Sequence, residues 1–385
     1  MTTLLMFGDC ESSPAMRHEV PLAIGDPFMF ADIDGRCAVL TSSLERARIE
    51  AVLPGVELLD FTALGMRELA EQGYNRRDSQ REIAARAVTQ LGISAAVVPW
   101  DFPVSIADRL REDGVQITVD DAFVDARRRV KAGPELAGIR AAQDATNAAM
   151  AAAAAILSRA TPGPDGDLLL DGEVLLAERV RDTLRAVFTE HGASCPAEMM
   201  VASVRTGFGH DPGSGPLPAG LPIQVDLFPR DNASGCWADM TRTFVVGEPT
   251  SEHAALIAEQ EQLVRRALEQ ARDAIAPGVI GRDLHAATCE LFEQAGYATL
   301  RTGDPDGYDE GFQFSLGHGV GLEVHEPPGL GLSGREPFLA GDVVAIEPGL
   351  WDRRIGGVRF EDLLLVTDDG CETLTSFSYS LTPAR

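Results

Sequence analysis

Apolar and polar positions alternate in short blocks over the first third of the chain. Residues 37–41 and 95–99 are apolar runs of strand length, and residues 79–91 repeat apolar positions at helical spacing. Strands interleaved with helices predict an α/β domain, to which we assign residues 1–130. Its acidic residues are spread over predicted surfaces, so a supporting or oligomerising role is expected for it.

From residue 131 to residue 385 the pattern predicts a second domain in which one arrangement occurs twice. Each half has two helices followed by a β-rich segment, which indicates an α+β fold with an internal duplication. The predicted helices cover 135–160, 172–191, 251–275 and 282–295, and the predicted strands cover 223–228, 241–246, 313–316, 343–347 and 358–366. The first helix is rich in alanine, the strongest helix former.

Composition narrows the possible partners. A chain of 385 residues is long enough for two domains. Its net charge of −26 argues against binding nucleic acid or an anionic membrane surface.

The longest apolar tract, 148–157, is too short for a membrane helix, and the N-terminus lacks the basic region of a signal peptide. Six scattered cysteines without a C-x-x-C pair are typical of reduced thiols, so a cytoplasmic protein is expected.

Five residues in the second domain offer the ligand chemistry of a metal site: Asp226, Asp239, His318, Glu347 and Glu361. Carboxylates with one imidazole suit Mn, Co or Zn better than an ion that prefers thiolates. Four ionised carboxylates would repel one another, and two divalent cations would cancel their charge. No other group nearby in sequence was expected to do so. The pattern therefore indicates a two-metal hydrolase.

Each candidate taken alone has a simpler interpretation. An aspartate on a strand is more often a surface or turn residue, and a histidine between glycines is often only part of a loop. Glu361 could form a salt bridge with Arg359 or Arg354 instead of binding metal. Glu347 and Glu361 each adjoin an apolar run, however, and a buried carboxylate requires a cation or hydrogen bonds.

The stretches that contain these residues resemble the pita-bread metallopeptidase family, and most closely its branch of Xaa-Pro aminopeptidases and prolidases. They are Val225-Asp226, Ala238 to Thr243, Gly317 to Glu326, Glu347-Pro348-Gly349 and Arg359 to Asp362. The resemblance implies a pita-bread catalytic domain over 131–385, preceded by a creatinase-like α/β domain over 1–130. It also implies a dinuclear metal-dependent exopeptidase that hydrolyses Xaa-Pro bonds at the N-terminus of peptides or in dipeptides.

The resemblance assigns a role to each ligand. Asp226 would chelate one ion, His318 and Glu347 would hold the other, and Asp239 and Glu361 would bridge both ions, with Mn the expected metal and Co or Zn the alternatives. A hydroxide bridging the two ions would attack the scissile carbonyl.

The remaining implied roles concern catalysis and assembly. Glu347 would serve as general base and then as general acid, while His210 and His325 would steady the substrate carbonyl or the oxyanion. The resemblance implies a peptide substrate, no further cofactor and a homodimer.

The chain departs from the family around the first two ligands. Asp226 is followed by Leu227-Phe228-Pro229, where relatives have Asp-x-Gly-Ala, and Trp237 replaces the usual tyrosine. These changes could reshape the substrate pocket. Two alternatives therefore stay open: hydrolysis of another C–N or ester bond on the same fold, and a non-catalytic binding protein that kept the fold.

Overall fold

The structure, a computed structural model, describes residues 2–131, 133–207, 211–303 and 310–384. The chain forms two compact units, Met1–Arg128 and Arg129–Arg385, and each has its own buried apolar core. Among the described helices, none is both long enough and apolar enough to cross a membrane.

The first unit is built on one mixed sheet. Its strands are β1 (Thr3–Gly8), β2 (Phe28–Ile33), β3 (Arg36–Thr41), β4 (Glu57–Asp60), β5 (Ala95–Val98) and β6 (Gln116–Val119). Its helices are α1 (Pro14–Glu19), α2 (Arg46–Val52), α3 (Met66–Glu71), α4 (Arg76–Gln90), α5 (Val104–Glu112) and α6 (Asp121–Arg129), the last of which ends at the unit boundary. The strand order is β4-β3-β2-β1-β5-β6.

Helices cover both faces of this sheet, and side chains along each strand point to the two faces in turn. Leu4 and Met6 of β1 pack in a core with residues of α1, α2 and α6. Leu5, between them, packs in a second core with residues of α3, α4 and α5. The strands and the helix predicted in this region are thereby confirmed.

The second unit begins with a helix pair and a three-stranded antiparallel sheet. The elements are α7 (Gly133–Arg159), β7 (Thr161–Pro162), β8 (Leu168–Leu170), β9 (Glu173–Val174), α8 (Ala177–Glu190), β10 (Ala193–Ser194), β11 (Met200–Ala202), β12 (Pro222–Leu227), β13 (Arg230–Asp231) and β14 (Met240–Val245). The sheet order is β11-β12-β14, and α7 and α8 share one apolar core with β12 and β14.

The rest of the second unit repeats this plan with a larger sheet. The elements are α9 (Ser251–Ala274), α10 (Gly281–Gln294), β15 (Gly317–Gly319), β16 (Glu326–Leu330), β17 (Val343–Ile346), β18 (Gly349–Asp352), β19 (Gly356–Arg359), β20 (Asp362–Val366) and β21 (Cys371–Thr373). The sheet order is β16-β15-β17-β20-β21, and β18 pairs with β19. The predicted duplication of two helices followed by strands is confirmed.

Three predicted boundaries were wrong. Residues 313–316 are not a strand, and β15 begins at Gly317. The helix predicted from residue 172 begins only at Ala177, because Asp171 and Gly172 have positive φ angles and turn β8 back onto β9. The strand predicted over 358–366 is two strands, β19 and β20, with Glu361 between them.

A buried ion pair lies at the start of β17, the central strand of the larger sheet, at the opposite end of that strand from Glu347. Arg129 donates from Nε and Nη2 to the two carboxylate oxygens of Asp342, each at 2.9 Å, and the backbone N–H of Leu339 also donates to Asp342. The Asp342 side chain is fully buried. An exposed pair that is also joined by two hydrogen bonds links Arg140 to Glu372 at 2.9 and 2.8 Å.

We expect Asp342→Ala to lower the free energy of unfolding by about 3–5 kcal/mol, because it removes the buried carboxylate that pairs with the Arg129 guanidinium and leaves that group with the exposed carboxylate of Glu336. Glu372→Ala is the matched control and is expected to cost no more than about 1 kcal/mol, since water replaces the lost contact. Urea unfolding of both variants measures the difference. Equal losses would show that burial does not set the strength of the Asp342 pair.

Candidate metal centre

The first two candidate ligands come from the small sheet of the second unit. Asp226 lies on β12, opposite Thr241 of β14, and Asp239 directly precedes β14. Because Leu227 pairs with Met240, the antiparallel register places both aspartates at the same end of the strand pair. Both are buried. The separation of 13 residues in sequence is therefore closed by a hairpin, as the strand pattern predicted.

The other three candidate ligands come from the larger sheet. His318 is the central residue of β15 and pairs with Ala345 of β17. Glu347 directly follows β17, and Glu361 fills the break between β19 and β20. The backbone N–H of Glu361 donates to the carbonyl of Thr241 at 3.1 Å, which joins the two sheets next to the ligands.

These side chains converge on one small volume. Ligand atoms of Asp239, His318 and Glu361 lie within 4.8 Å of one another. The Nε2 atom of His318 is 3.8 Å from Asp239 Oδ2 and 3.6 Å from Glu347 Oε1. Asp226 lines the same cavity as the other four residues. All five predicted ligands are thus brought together.

The orientation of His318 suits a metal ligand. Its Nδ1 atom is 3.2 Å from the carbonyl oxygen of Gly319, and a carbonyl can only accept a hydrogen bond, so Nδ1 carries the proton. The lone pair of Nε2 then faces the carboxylates of Asp239 and Glu347. Burial lowers the pKa of His318 to about 3, so the ring is neutral. A cation between this lone pair and the carboxylate oxygens would stabilise the arrangement.

Buried acceptors without donors support the same conclusion. Asp226 Oδ1 and Asp239 Oδ1 are buried, and neither has a hydrogen-bond partner among the described residues. Burial raises the pKa of Asp239 well above its usual value, and the charges of Glu361 and Asp226 raise it further. Burial likewise raises the pKa of Glu347 to about 7. Hard oxygen donors of this kind fit a divalent cation.

Arg359 also belongs to this centre, although the sequence did not predict a role for it there. Its guanidinium is buried, its Nη2 atom donates to Asp226 Oδ2, and its Nη1 atom is 3.7 Å from Glu347 Oε2. It thereby offsets one of the four carboxylate charges, and the other three still require cations. The signal was its position two residues before Glu361 in a segment predicted as one strand, because side chains two residues apart along a strand point to the same side.

The glycines around His318 are explained by neighbouring strands. A Cβ atom at Gly317 would lie 1.9 Å from the carbonyl oxygen of Ala345, and one at Gly319 would lie 2.5 Å from that of Glu326. Glycine is therefore required for the close approach of β17 and β16. These contacts hold β15, and with it His318, at a fixed distance from the other ligands.

Of the two other predicted histidines, His325 lies beside the cluster, whereas His210 is outside the described residues. His325 directly precedes β16, and its ring lies 4.2 Å from the ring of His318 in an edge-to-face arrangement. It is exposed to solvent and lines the cavities next to the cluster, where a substrate could reach it. His210 lies outside the described residues, so its predicted role stays a prediction.

Two cavities flank the cluster and share the side chains of His318, His325, Glu347 and Arg359. The smaller cavity, of about 280 Å³, also contains the other three carboxylate ligands. Its remaining described lining is Glu198, Met200, Phe228 and Val324. The larger cavity, of about 470 Å³, lies on the side of β16 and β18. A substrate can therefore extend to either side of the candidate metal centre.

Comparison with known proteins agrees with this geometry. The sequence profile described as metallopeptidase family M24 matches residues 137–368, which include all five candidate ligands. The chain belongs to metallopeptidase family M24. Its sequence is 35% identical over 138 residues to the Xaa-Pro dipeptidase of Pyrococcus furiosus, a match that covers 36% of this chain and 35% of that protein. The match thus spans about a third of the curated relative.

Solved structures extend the similarity of this M24 chain to nearly its whole length. The prolidase from Pyrococcus horikoshii OT3 superposes with a TM-score of 0.76 at 21% identity, covering 99% of this chain and 95% of the other. The X-Pro aminopeptidase from Thermotoga maritima superposes with a TM-score of 0.75 at 20% identity, covering 99% and 97%. At 20–21% sequence identity, the similarity to these two structures establishes the fold alone. The predicted α+β fold, with a pita-bread domain after a creatinase-like domain, is confirmed.

We expect Mn²⁺ to stabilise the metal-free protein by about 2.7 kcal/mol at a concentration one hundred times its dissociation constant. Asp239→Asn should lose most of this gain, because it removes a charge that the cation would neutralise. Thermal unfolding with and without Mn²⁺ measures the effect, and the exposed Asp368→Asn serves as the control. An undiminished shift in Asp239→Asn would remove Asp239 from the metal centre.

Proposed function

We propose that this M24 protein is a metal-dependent exopeptidase that hydrolyses the Xaa-Pro bond at the N-terminus of peptides or in dipeptides. The observation that carries the proposal is the convergence of Asp239, His318 and Glu361 within 4.8 Å, with Asp226 and Glu347 on the same cavity. The proline preference rests on the relatives, which include an Xaa-Pro dipeptidase and an X-Pro aminopeptidase.

The five ligands are proposed to hold two divalent ions, with Mn the preferred metal. Asp226 would hold one ion, His318 and Glu347 the other, and Asp239 and Glu361 both. When bound, such ions polarise a carbonyl and lower the pKa of water, which supplies a nucleophile at neutral pH. Two ions would also offset the carboxylate charge that Arg359 leaves unbalanced.

The side chains around the ions would carry the proton transfers. Glu347 would accept a proton from the attacking water and deliver it to the leaving nitrogen as the C–N bond breaks. His325, exposed beside His318, would donate a hydrogen bond to the carbonyl oxygen as negative charge develops there. The resemblance gives His210 a related role and also implies a homodimer, and both remain predictions.

The direct test measures release of the N-terminal residue from Ala-Pro-Ala, with Ala-Ala-Ala as the proline-free control. Exhaustive chelation should abolish cleavage of the proline peptide, and added Mn²⁺ or Co²⁺ should restore it. Full activity after chelation would contradict metal dependence. Faster cleavage of the control would contradict proline preference and favour another amide substrate.

Two variants separate metal binding from catalysis. Asp239→Ala should abolish turnover together with metal binding, because it removes a proposed bridging ligand. His325→Ala should lower kcat by roughly 10²- to 10⁴-fold, which is typical for loss of a group that transfers or shares a proton, while keeping the bound metal. Metal analysis and steady-state kinetics measure both effects, and the exposed His191→Ala is the control. Loss of metal from His325→Ala would make that histidine a ligand.

A further inference from the structure

The two cavities beside the metal centre differ in charge. The smaller one contains Asp226, Asp239 and Glu361 and is bordered by the exposed carboxylate of Glu198. The larger one is lined by neutral residues apart from the four that it shares with the smaller cavity. These neutral residues are Gln313, Phe314, Ser315, Gly317, Gly329, Leu330, Gly331, Ser333 and Trp351.

This difference orients a peptide across the centre. An exopeptidase that removes an N-terminal residue must accept its ammonium group, and a carboxylate that holds no metal ion attracts such a cation. Glu198, which is exposed and is not one of the proposed ligands, supplies this negative charge at the smaller cavity, beside the apolar side chains of Met200 and Phe228. The N-terminal residue therefore belongs in the smaller cavity. The residue after the cleaved bond then belongs in the larger one.

A free C-terminal carboxylate finds no free guanidinium or ammonium group among the described residues that line the larger cavity. Arg359 carries the one guanidinium there, and that group is buried between Asp226 and Glu347. His325 also lines this cavity, but its proposed hydrogen bond goes to the scissile carbonyl. Arg335 is exposed and does not line the cavity. The carboxylate of a bound dipeptide would thus be partly desolvated near Glu347 without a charge partner, which is unfavourable.

A continuing peptide chain fits the same cavity better. Ser315, Ser333 and Gln313 supply neutral hydrogen-bonding groups, while Gly329 and Gly331 expose backbone without side chains. Its volume of about 470 Å³ exceeds that of the smaller cavity. Ligand cavities of roughly 300–1,000 Å³ enclose molecules well above the size of one residue. In a longer peptide a neutral amide follows the proline, so the C-terminal carboxylate of the substrate lies further from the metal centre.

We propose that the larger cavity selects peptides that continue beyond the residue after the cleaved bond, so that the protein acts on tripeptides and longer chains in preference to dipeptides. This inference rests on the proposed function and specifies its substrate class. The discriminating feature is that the described residues lining the larger cavity include no guanidinium or ammonium group that is free to pair with a substrate carboxylate.

The test compares kcat/KM for Ala-Pro, Ala-Pro-amide and Ala-Pro-Ala with the Mn²⁺-loaded protein. The amide has nearly the size of the dipeptide without its charge. We expect the amide and the tripeptide each to exceed the dipeptide by at least tenfold. Equal or faster cleavage of Ala-Pro would overturn the inference and leave the proposed function standing. No cleavage of any of the three would contradict the proposed function and the inference with it.

A variant that supplies the missing cation tests the cause. A Cβ atom at Gly329 would meet only Gly334 Cα, at 3.7 Å, so a side chain can start there without a clash. Gly329→Lys should raise kcat/KM for Ala-Pro about tenfold and reduce the preference for the tripeptide. Leu332→Lys adds the same charge to an exposed residue that does not line the cavity, and it should leave the preference unchanged.

A binding measurement gives a readout independent of turnover. Calorimetry with the metal-free protein should show that prolinamide binds more tightly than proline and that Gly329→Lys reverses this order. The same reversal in Leu332→Lys would attribute the effect to overall charge and overturn the assignment to the larger cavity. Tighter binding of proline than of prolinamide to the unsubstituted protein would also overturn it.

Discussion

Mutual repulsion among buried carboxylates is the constraint on which the architecture of the second unit depends. Asp239 and Glu361 are both buried, and their pKa values are raised by burial and by neighbouring acidic groups. Such a cluster is unfavourable in a protein interior unless cations occupy it. Arg359 supplies one positive charge, at Asp226. The remaining charge makes this region a site for divalent cations.

The fold holds the cluster together by joining two similar halves at their strands. The first half contributes Asp226 and Asp239 from a hairpin, and the second contributes His318 and Glu347 from paired strands. Backbone contacts too close for a Cβ atom fix β15 between its neighbours, as Gly317 shows. The ligands therefore lie on rigid elements, which limits how far the cluster can relax when no cation is bound.

The sequence predicted which side chains come together better than it predicted the surroundings of the site. Acidic residues beside apolar strands carry a strong signal, because burial of a carboxylate demands compensation. The pattern placed β12, β14 and β17 close to their observed bounds, although it joined β19 and β20 into one strand. The turn at Asp171-Gly172 was missed because two residues with positive φ angles reversed a segment that had helical composition. The role of Arg359 was missed because its partner, Asp226, lies 133 residues away in sequence. The two cavities depend on such long-range packing and could not be predicted.

We propose that the buried carboxylates hold two divalent cations. An anomalous difference map from crystals of the protein loaded with Mn²⁺ locates such ions directly. Two peaks are expected, both adjoining Asp239 and Glu361, with Asp226 at one peak and His318 and Glu347 at the other. A single peak, or peaks away from these five residues, would contradict this proposal.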